Sequence, residues 1–556
     1  MKITLNNYED VVNKAISKIE SENIIERIWE KDHTVWRDDP TEISNRLGWL
    51  DCVDVTSRSF KEINSFVDEV RAEGFTHALL MGMGGSSLAP EVFRLTFGVK
   101  EGYLNLSVLD STHPEAVKEF SDKLDVENTL FIVSTKSGGT IETISFMKFF
   151  YTEAVKILGK EKAGSNFVVI TDPGSGLEAI AKELKFRKIF LNDPDIGGRF
   201  SALSLFGAVP AALGGVDLNE FFASAEKMVN ECKLHHISEN SGAMLGVIIG
   251  TLTNEGVDKL TILCSSQINY FGAWLEQLIA ESTGKDGKGI LPVDLEPIGL
   301  IENFSCDRVF VHFKLESDSS KDKMINILKE ANFPIIEITL NDVYNLADEF
   351  FRWEFATAIA GNVLAVQPFD QPNVESAKVA AKAMMKEYQK KGELPKLLPS
   401  LEMNNIKLFG DFKSKNISEA INTFVARAEK GKSYISIQAY IKPDDKSWHA
   451  LQYLRSKIIS EYQATVTLGY GPRFLHSTGQ LHKGDGGNGL FIQLVDVSYD
   501  DLPIQITAVD ENSEITFGTL INAQSLGDRQ ALLDNGREVL RLELSGNVAE
   551  SILNLA

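Results

Sequence analysis

The sequence predicts an α/β protein, with two sandwiches built on parallel sheets followed by a smaller C-terminal α+β domain. Three observations carry this reading. Short β-rich runs alternate with amphipathic helical stripes from about residue 46 onward, the pattern of βαβ units feeding a parallel sheet. At 556 residues and 61.5 kDa the chain is too long for a single core. After Lys390-Lys391-Gly392-Glu393-Leu394-Pro395 the texture changes to strand, helix and then strands carrying several glycines.

In order along the chain, residues 1–45 read as a charged helical segment wrapped on another domain. The first α/β unit spans 46–215, with strands at 104–109, 129–134, 167–171 and 188–191. Its longest helix carries the stripe Ile144, Met147, Tyr151, Val155 and Leu158. The second unit, 216–398, places strands near 260–264, 309–313 and 335–339 and a long helix around 346–365. Residues 399–556 form the α+β domain, where Gly484-Asp485-Gly486-Gly487-Asn488-Gly489 reads as a flexible loop.

Composition narrows the function classes. A net charge of −22 argues against a nucleic-acid or anionic-membrane surface, so an anionic ligand would need local basic groups. The four cysteines (Cys52, Cys232, Cys264, Cys306) are widely spaced with no CxxC pair, which favours a reducing compartment and gives no zinc signature. The amino terminus lacks an apolar signal core, and no stretch reaches transmembrane length, so the expectation is a cytoplasmic protein.

Two turns point to a phosphate. Leu130-Phe131-Ile132-Val133 runs into Ser134-Thr135-Lys136-Ser137-Gly138-Gly139-Thr140, and a helix starts at once. Hydroxyls, free backbone N–H groups and the positive helix end then converge on one spot. The spacing is neither a Walker loop nor a dinucleotide fingerprint. Upstream, Gly82-Met83-Gly84-Gly85-Ser86-Ser87 follows Ala78-Leu79-Leu80-Met81 in the same way, with glycines that let backbone approach a ligand closely. Two such loops at strand carboxyl ends describe one crevice.

Further along, the helix bearing Phe271, Trp274, Leu275 and Leu278 puts Glu281 seven residues after Trp274 and three after Leu278. The Glu281 carboxyl therefore sits at the edge of an apolar stripe and at the negative helix end. Both settings disfavour its charged form, as a proton-shuttling carboxyl requires. Pro372 suits a helix's first turn, and Lys378 borders that helix's stripe of Val374, Ala377, Ala381, Met384 and Tyr388.

These motifs, with Asp195-Ile196-Gly197-Gly198-Arg199-Phe200-Ser201, Glu281-Ser282-Thr283-Gly284-Lys285, Gln367-Pro368-Phe369-Asp370-Gln371-Pro372-Asn373-Val374-Glu375-Ser376-Ala377-Lys378 and Phe474-Leu475-His476-Ser477-Thr478-Gly479-Gln480-Leu481-His482, resemble the phosphoglucose isomerase family. More narrowly, the chain is similar to the isomerase half of the bifunctional transaldolase/phosphoglucose isomerase proteins, from Trp36-Arg37-Asp38 through Phe517-Gly518-Thr519-Leu520. The transaldolase half has no counterpart, so no aldol transfer is expected.

The resemblance implies two sugar-isomerase (SIS) domains and interconversion of glucose 6-phosphate and fructose 6-phosphate through a cis-enediolate. It implies that Thr135, Lys136, Ser137 and Thr140 hold the phosphate, with Gly84, Gly85 and Ser86 lining the neighbouring turn. Glu281 would be the base, Arg199 would stabilise the enediolate, and His476 with Lys378 would open the sugar ring. Gln371 would be an accessory sugar contact, and His482 a reserve for His476. No metal or organic cofactor is implied, and a homodimer is a candidate assembly. In most of the family the histidine segment lies between the base and the lysine, and the histidine comes from the partner subunit. Here it follows both, in the C-terminal domain, so that the sequence leaves open whether the chain's own His476 or that of a partner subunit reaches the site. Mannose 6-phosphate as an added substrate, or a sugar-phosphate-binding regulator on the same fold, are the alternative readings.

Overall fold

The computed structural model describes residues 1–411, 413–510 and 512–555, and the side chains of Glu375, Ser376 and Ala377 lie outside the described residues. Three sheets of five or six strands organise the chain. The first runs Asn105–Leu109, His77–Met81, Thr129–Ser134, Phe167–Thr171, Lys188–Leu191, every pair parallel. Strand Thr129–Ser134 is buried throughout, as a continuous apolar run covered on both faces must be. Its carboxyl end delivers the hydroxyl-rich turn beside the one that follows His77–Met81, its direct neighbour.

The second sheet, Lys2–Thr4, Ile335–Leu340, Arg308–Leu315, Lys259–Cys264, Leu291–Val293, is parallel except at its first edge. Two of its strands go beyond the sequence expectation. Lys2–Thr4 lies in the segment read as helical, although Glu9–Ser21 and Ile24–Trp29 are helices. Leu291–Val293 has only three residues, too few to show a period. The long helix expected near 346–365 spans Leu346–Leu364.

The C-terminal sheet orders Leu401–Met403, Ile406–Phe409, Glu538–Leu544, Gly489–Asp496, Tyr434–Tyr440, Thr465–Tyr470. Its last four strands are parallel and joined through helices, whereas the first two pair antiparallel. The unit is thus mixed, with more parallel pairing than α+β alone implies. The glycine run at 484–489 is tied down, not loose. Asp485 accepts hydrogen bonds from the Tyr434 hydroxyl at 3.0 Å and from Gly487 N–H at 3.0 Å, and it pairs with Arg537 at 2.9 Å.

Packing fixes this unit against the other two. Phe517, on helix Phe517–Asp534, stacks on Phe146 (5.9 Å) and meets Phe149 edge-on (5.8 Å), both on helix Ile141–Leu158. Those rings share one apolar cluster with Leu520 and Ala523. On the other side, a β-carbon at Gly284 would lie 2.3 Å from Leu481 Cα, so the two backbones touch there. Among the described residues, no helix is long and apolar enough to cross a membrane.

Candidate functional site

Both glycine-bearing turns close on one crevice. Ser134 Oγ donates to Ser86 O at 3.2 Å, and the Thr135 and Thr140 hydroxyls are 2.9 Å apart. Thr140 precedes helix Ile141–Leu158 without capping it through its side chain, which leaves the first-turn N–H groups facing the turn. Thr135 is buried and Ser137 exposed. Lys136 departs from the expected role: its ammonium binds the Asp172 carboxylate and, at 2.7 Å, Pro194 O. The reason is Asp172, a carboxylate sunk at the end of the next strand that needs a counter-charge.

The upstream turn shows why its glycines are required. Gly84 is left-handed (φ +55°), and a β-carbon there would lie 2.8 Å from Gln277 Nε2 and 3.0 Å from His476 O. At Gly85 a β-carbon would fall 1.8 Å from Gly198 O. The Gly84-Gly85-Ser86 turn therefore lies directly against the arginine turn, where Ser201 Oγ donates to Gly198 O at 2.6 Å.

Arg199 and Glu281 form the buried centre, each about 5 % exposed, with Nη1 3.3 Å from Oε1. Three other contacts hold the guanidinium plane: Nε to Ser282 Oγ (2.8 Å) and Nη2 to Pro368 O (2.6 Å) and Asp370 O (2.8 Å). Burial pulls the guanidinium below its ordinary value, with the Glu281 charge opposing. Glu281 lies in the last turn of helix Phe271–Thr283, as its apolar spacing predicts. What the spacing missed is the company: Arg199 on one oxygen, and Gln277 Nε2 donating to the other at 3.0 Å.

Gln277 Nε2 also donates to His476 O at 2.7 Å, so one amide joins Glu281 to the histidine segment. His476, on the turn Arg473–His476, lies with Nε2 2.9 Å from Glu142 Oε1. It reaches the site within its own chain. Burial pushes the Glu142 carboxyl up. The charge and hydrogen bond of His476, its own backbone N–H and the charge of Lys378 hold it below the ordinary glutamate value. Lys378 is exposed on helix Val374–Lys391, and Gln371 is exposed just before it, so both stand at the rim. His482 points elsewhere, buried between Ser436 (3.5 Å) and Gln438 (3.4 Å), and burial depresses its basicity well below the usual range.

Sequence reading missed Glu142, Gln277 and Lys285. Lys285 Nζ donates at 2.6 Å to Gln367 O, Asp370 O and Asp370 Oδ1, sharing the Asp370 carbonyl with Arg199. Burial first, then the Arg199 charge, push its ammonium down to about 7, against the pull of Asp370. Its place four residues after Glu281 was visible, but nothing in the spacing marked it as buried.

Residues 49–290 match the family model described as phosphoglucose isomerase. A probable glucose-6-phosphate isomerase from Methanococcus maripaludis is 28% identical over 403 residues, covering 65% of this chain and 87% of that protein. The glucose-6-phosphate isomerase of Carboxydothermus hydrogenoformans is 26% identical over 398 residues, covering 61% and 85%. Among solved structures, a hypothetical protein from Thermus thermophilus superimposes with TM-score 0.60 at 23% identity, covering 69% of this chain and 99% of the other. The glucose-6-phosphate isomerase of Chlamydia trachomatis gives 0.57 at 19%, covering 70% and 87%. These two share the fold.

Two outcomes test this geometry. Gly85→Ala forces its loop off Gly198, with no flexible side chain to yield. It should cost about 1–3 kcal/mol of stability and weaken sugar-phosphate binding; calorimetry showing an unchanged melting temperature and affinity would contradict the contact. For Lys285, the unfolded chain binds the proton up to about pH 10.4, the folded one only below about 7. The unfolded state therefore holds more protons between those values, and this group's contribution to stability rises with pH across them. Lys285→Met should flatten that rise in thermal melts recorded from pH 7 to 10.

Proposed function

This chain belongs to the phosphoglucose isomerase family, and from that premise we propose how its own residues interconvert glucose 6-phosphate and fructose 6-phosphate. The observation that carries the reading is the buried contact between Arg199 and Glu281, tied through Gln277 to His476. A sugar-phosphate sensor needs the anion turn but has no use for a buried base beside a fixed cation.

The phosphate binds at the Thr135–Thr140 turn through hydroxyls and helix N–H groups, with Ser86 alongside. Lys136 contributes by holding the turn to Asp172 and Pro194 rather than as a free cation. Anchoring at C6 fixes where C1 and C2 lie, and such positioning removes several kcal/mol of the barrier. Ring opening breaks the bond between C1 and the ring oxygen: that oxygen gains a proton while the C1 hydroxyl loses one. His476 performs this transfer. Glu142 accepts from its Nε2–H, which leaves Nδ1 as the nitrogen open to the sugar, and Lys378 assists from the rim.

In the open-chain sugar the carbonyl acidifies the adjacent C–H. Glu281 removes the C2 proton, and the electron pair moves onto the carbonyl oxygen to give the cis-enediolate. Arg199 Nη1, held in plane by the contacts of Nε and Nη2, faces that charge as it develops. Glu281 then returns the proton to C1 while the C2 hydroxyl passes its proton to the C1 oxygen, leaving the C2 carbonyl of fructose 6-phosphate. Gln371 contacts the sugar at the rim.

A dehydrogenase-coupled assay on fructose 6-phosphate tests the whole reading, and sugar-phosphate binding without turnover would refute it. Glu281→Gln should lower turnover by roughly 10³-fold or more and stop exchange of the C2 proton in deuterated water, with phosphate-ester binding retained; persistent exchange removes Glu281 as base. His476→Ala should slow the cyclic substrate far more than an analogue unable to close its ring. Equal losses on both would make His476 structural.

A further inference from the structure

We propose that Gln524, on the C-terminal unit's helix Phe517–Asp534, is a positioning residue that aims the Glu142 carboxylate at His476; this rests on the isomerase reading above. Glu142 is 3 % exposed, in the first turn of helix Ile141–Leu158. Two donors converge on its Oε1: His476 Nε2 at 2.9 Å and Gln524 Nε2 at 2.7 Å. A carboxylate oxygen only accepts, and its lone pairs diverge. With one direction occupied by Gln524, the other is left for the imidazole.

The amide cannot turn over without loss, because its oxygen would then face the carboxylate. A third group locks it as it stands: the fully buried Thr112 hydroxyl donates to Gln524 Oε1 at 2.9 Å. Thr112 follows strand Asn105–Leu109 of the first sheet, so the amide is clamped between two units. The helix that carries it is itself fixed. Gln524 lies seven residues after Phe517, two turns along the same face, and Phe517 is wedged against Phe146 and Phe149 on the helix that bears Glu142. Donor and acceptor therefore ride on two helices that meet through these rings. Gln524 acts on the sugar only through Glu142 and His476.

The test compares Gln524→Met, Gln524→Glu and Thr112→Val with the unaltered protein. Substrates are glucose 6-phosphate and an analogue that cannot cyclise. Gln524→Met should lower kcat on the cyclic substrate by roughly tenfold or more, with KM and the melting temperature little changed and the open-chain reaction nearly intact. Thr112→Val should do the same more weakly. Gln524→Glu supplies a donor only while the facing carboxyls share a proton, so its activity relative to the unaltered protein should fall as pH rises. Equal losses on both substrates, or kcat within twofold, would overturn the proposal. In the substrate-free protein, Gln524→Met should also move the His476 ring signals in carbon–proton correlation spectra; unmoved signals overturn the positioning role independently of turnover. Absence of turnover by the unaltered protein would instead count against the isomerase reading.

Discussion

A guanidinium and a carboxylate placed 3.3 Å apart and shut away from water set the terms for the surrounding architecture. Each charge is costly to bury unless its remaining hydrogen-bonding capacity is met. The structure meets it from separate segments: Ser282 beside Glu281, the carbonyls of Pro368 and Asp370, and the Gln277 amide. Lys285 grips the same 367–370 loop, so the loop that braces the arginine is itself braced. Close approach of bare backbone at Gly85 and Gly198 brings the Gly84-Gly85-Ser86 turn to this centre.

The C-terminal unit supplies what that centre lacks. Its Arg473–His476 turn presents a histidine to a glutamate of the first unit, and Gln480 reaches the second, donating to Gly284 O at 2.9 Å and accepting from Asn373 N–H at 2.9 Å. The crevice is therefore walled by three units of one chain, and the end of helix Phe271–Thr283 and the start of helix Val374–Lys391 are clipped together by one glutamine.

Much of this was legible in the sequence wherever a local pattern encoded it. The turn at 134–140 announced itself through an apolar run ending in hydroxyls and glycines, and the place of Glu281 followed from its spacing to Trp274 and Leu278. The alternation of strands and helices exposed the two parallel sheets. The rest depends on pairing across distance. Glu142 reads as an ordinary acidic residue of a first helical turn, yet His476 is 334 positions away and Gln524 is 382. Gln277 looks like one polar residue in a helix until its two acceptors are known. Lys136 shows the converse: its motif was plain, but Asp172, which claims its charge, was not. The strand Lys2–Thr4 is stabilised by an edge of the second sheet, information that no three-residue segment carries.

The order of strands in the C-terminal sheet bears on when a ribosome-bound chain becomes competent. Glu538–Leu544, the last of that sheet's strands in chain order, lies inside it between Ile406–Phe409 and Gly489–Asp496. Until it emerges, the sheet that backs the histidine turn is split in two, while both sandwiches upstream already have all their strands. Synthesis thus completes the sheets that carry the Gly84-Gly85-Ser86 and Thr135–Thr140 turns before the sheet behind Arg473–His476 can close.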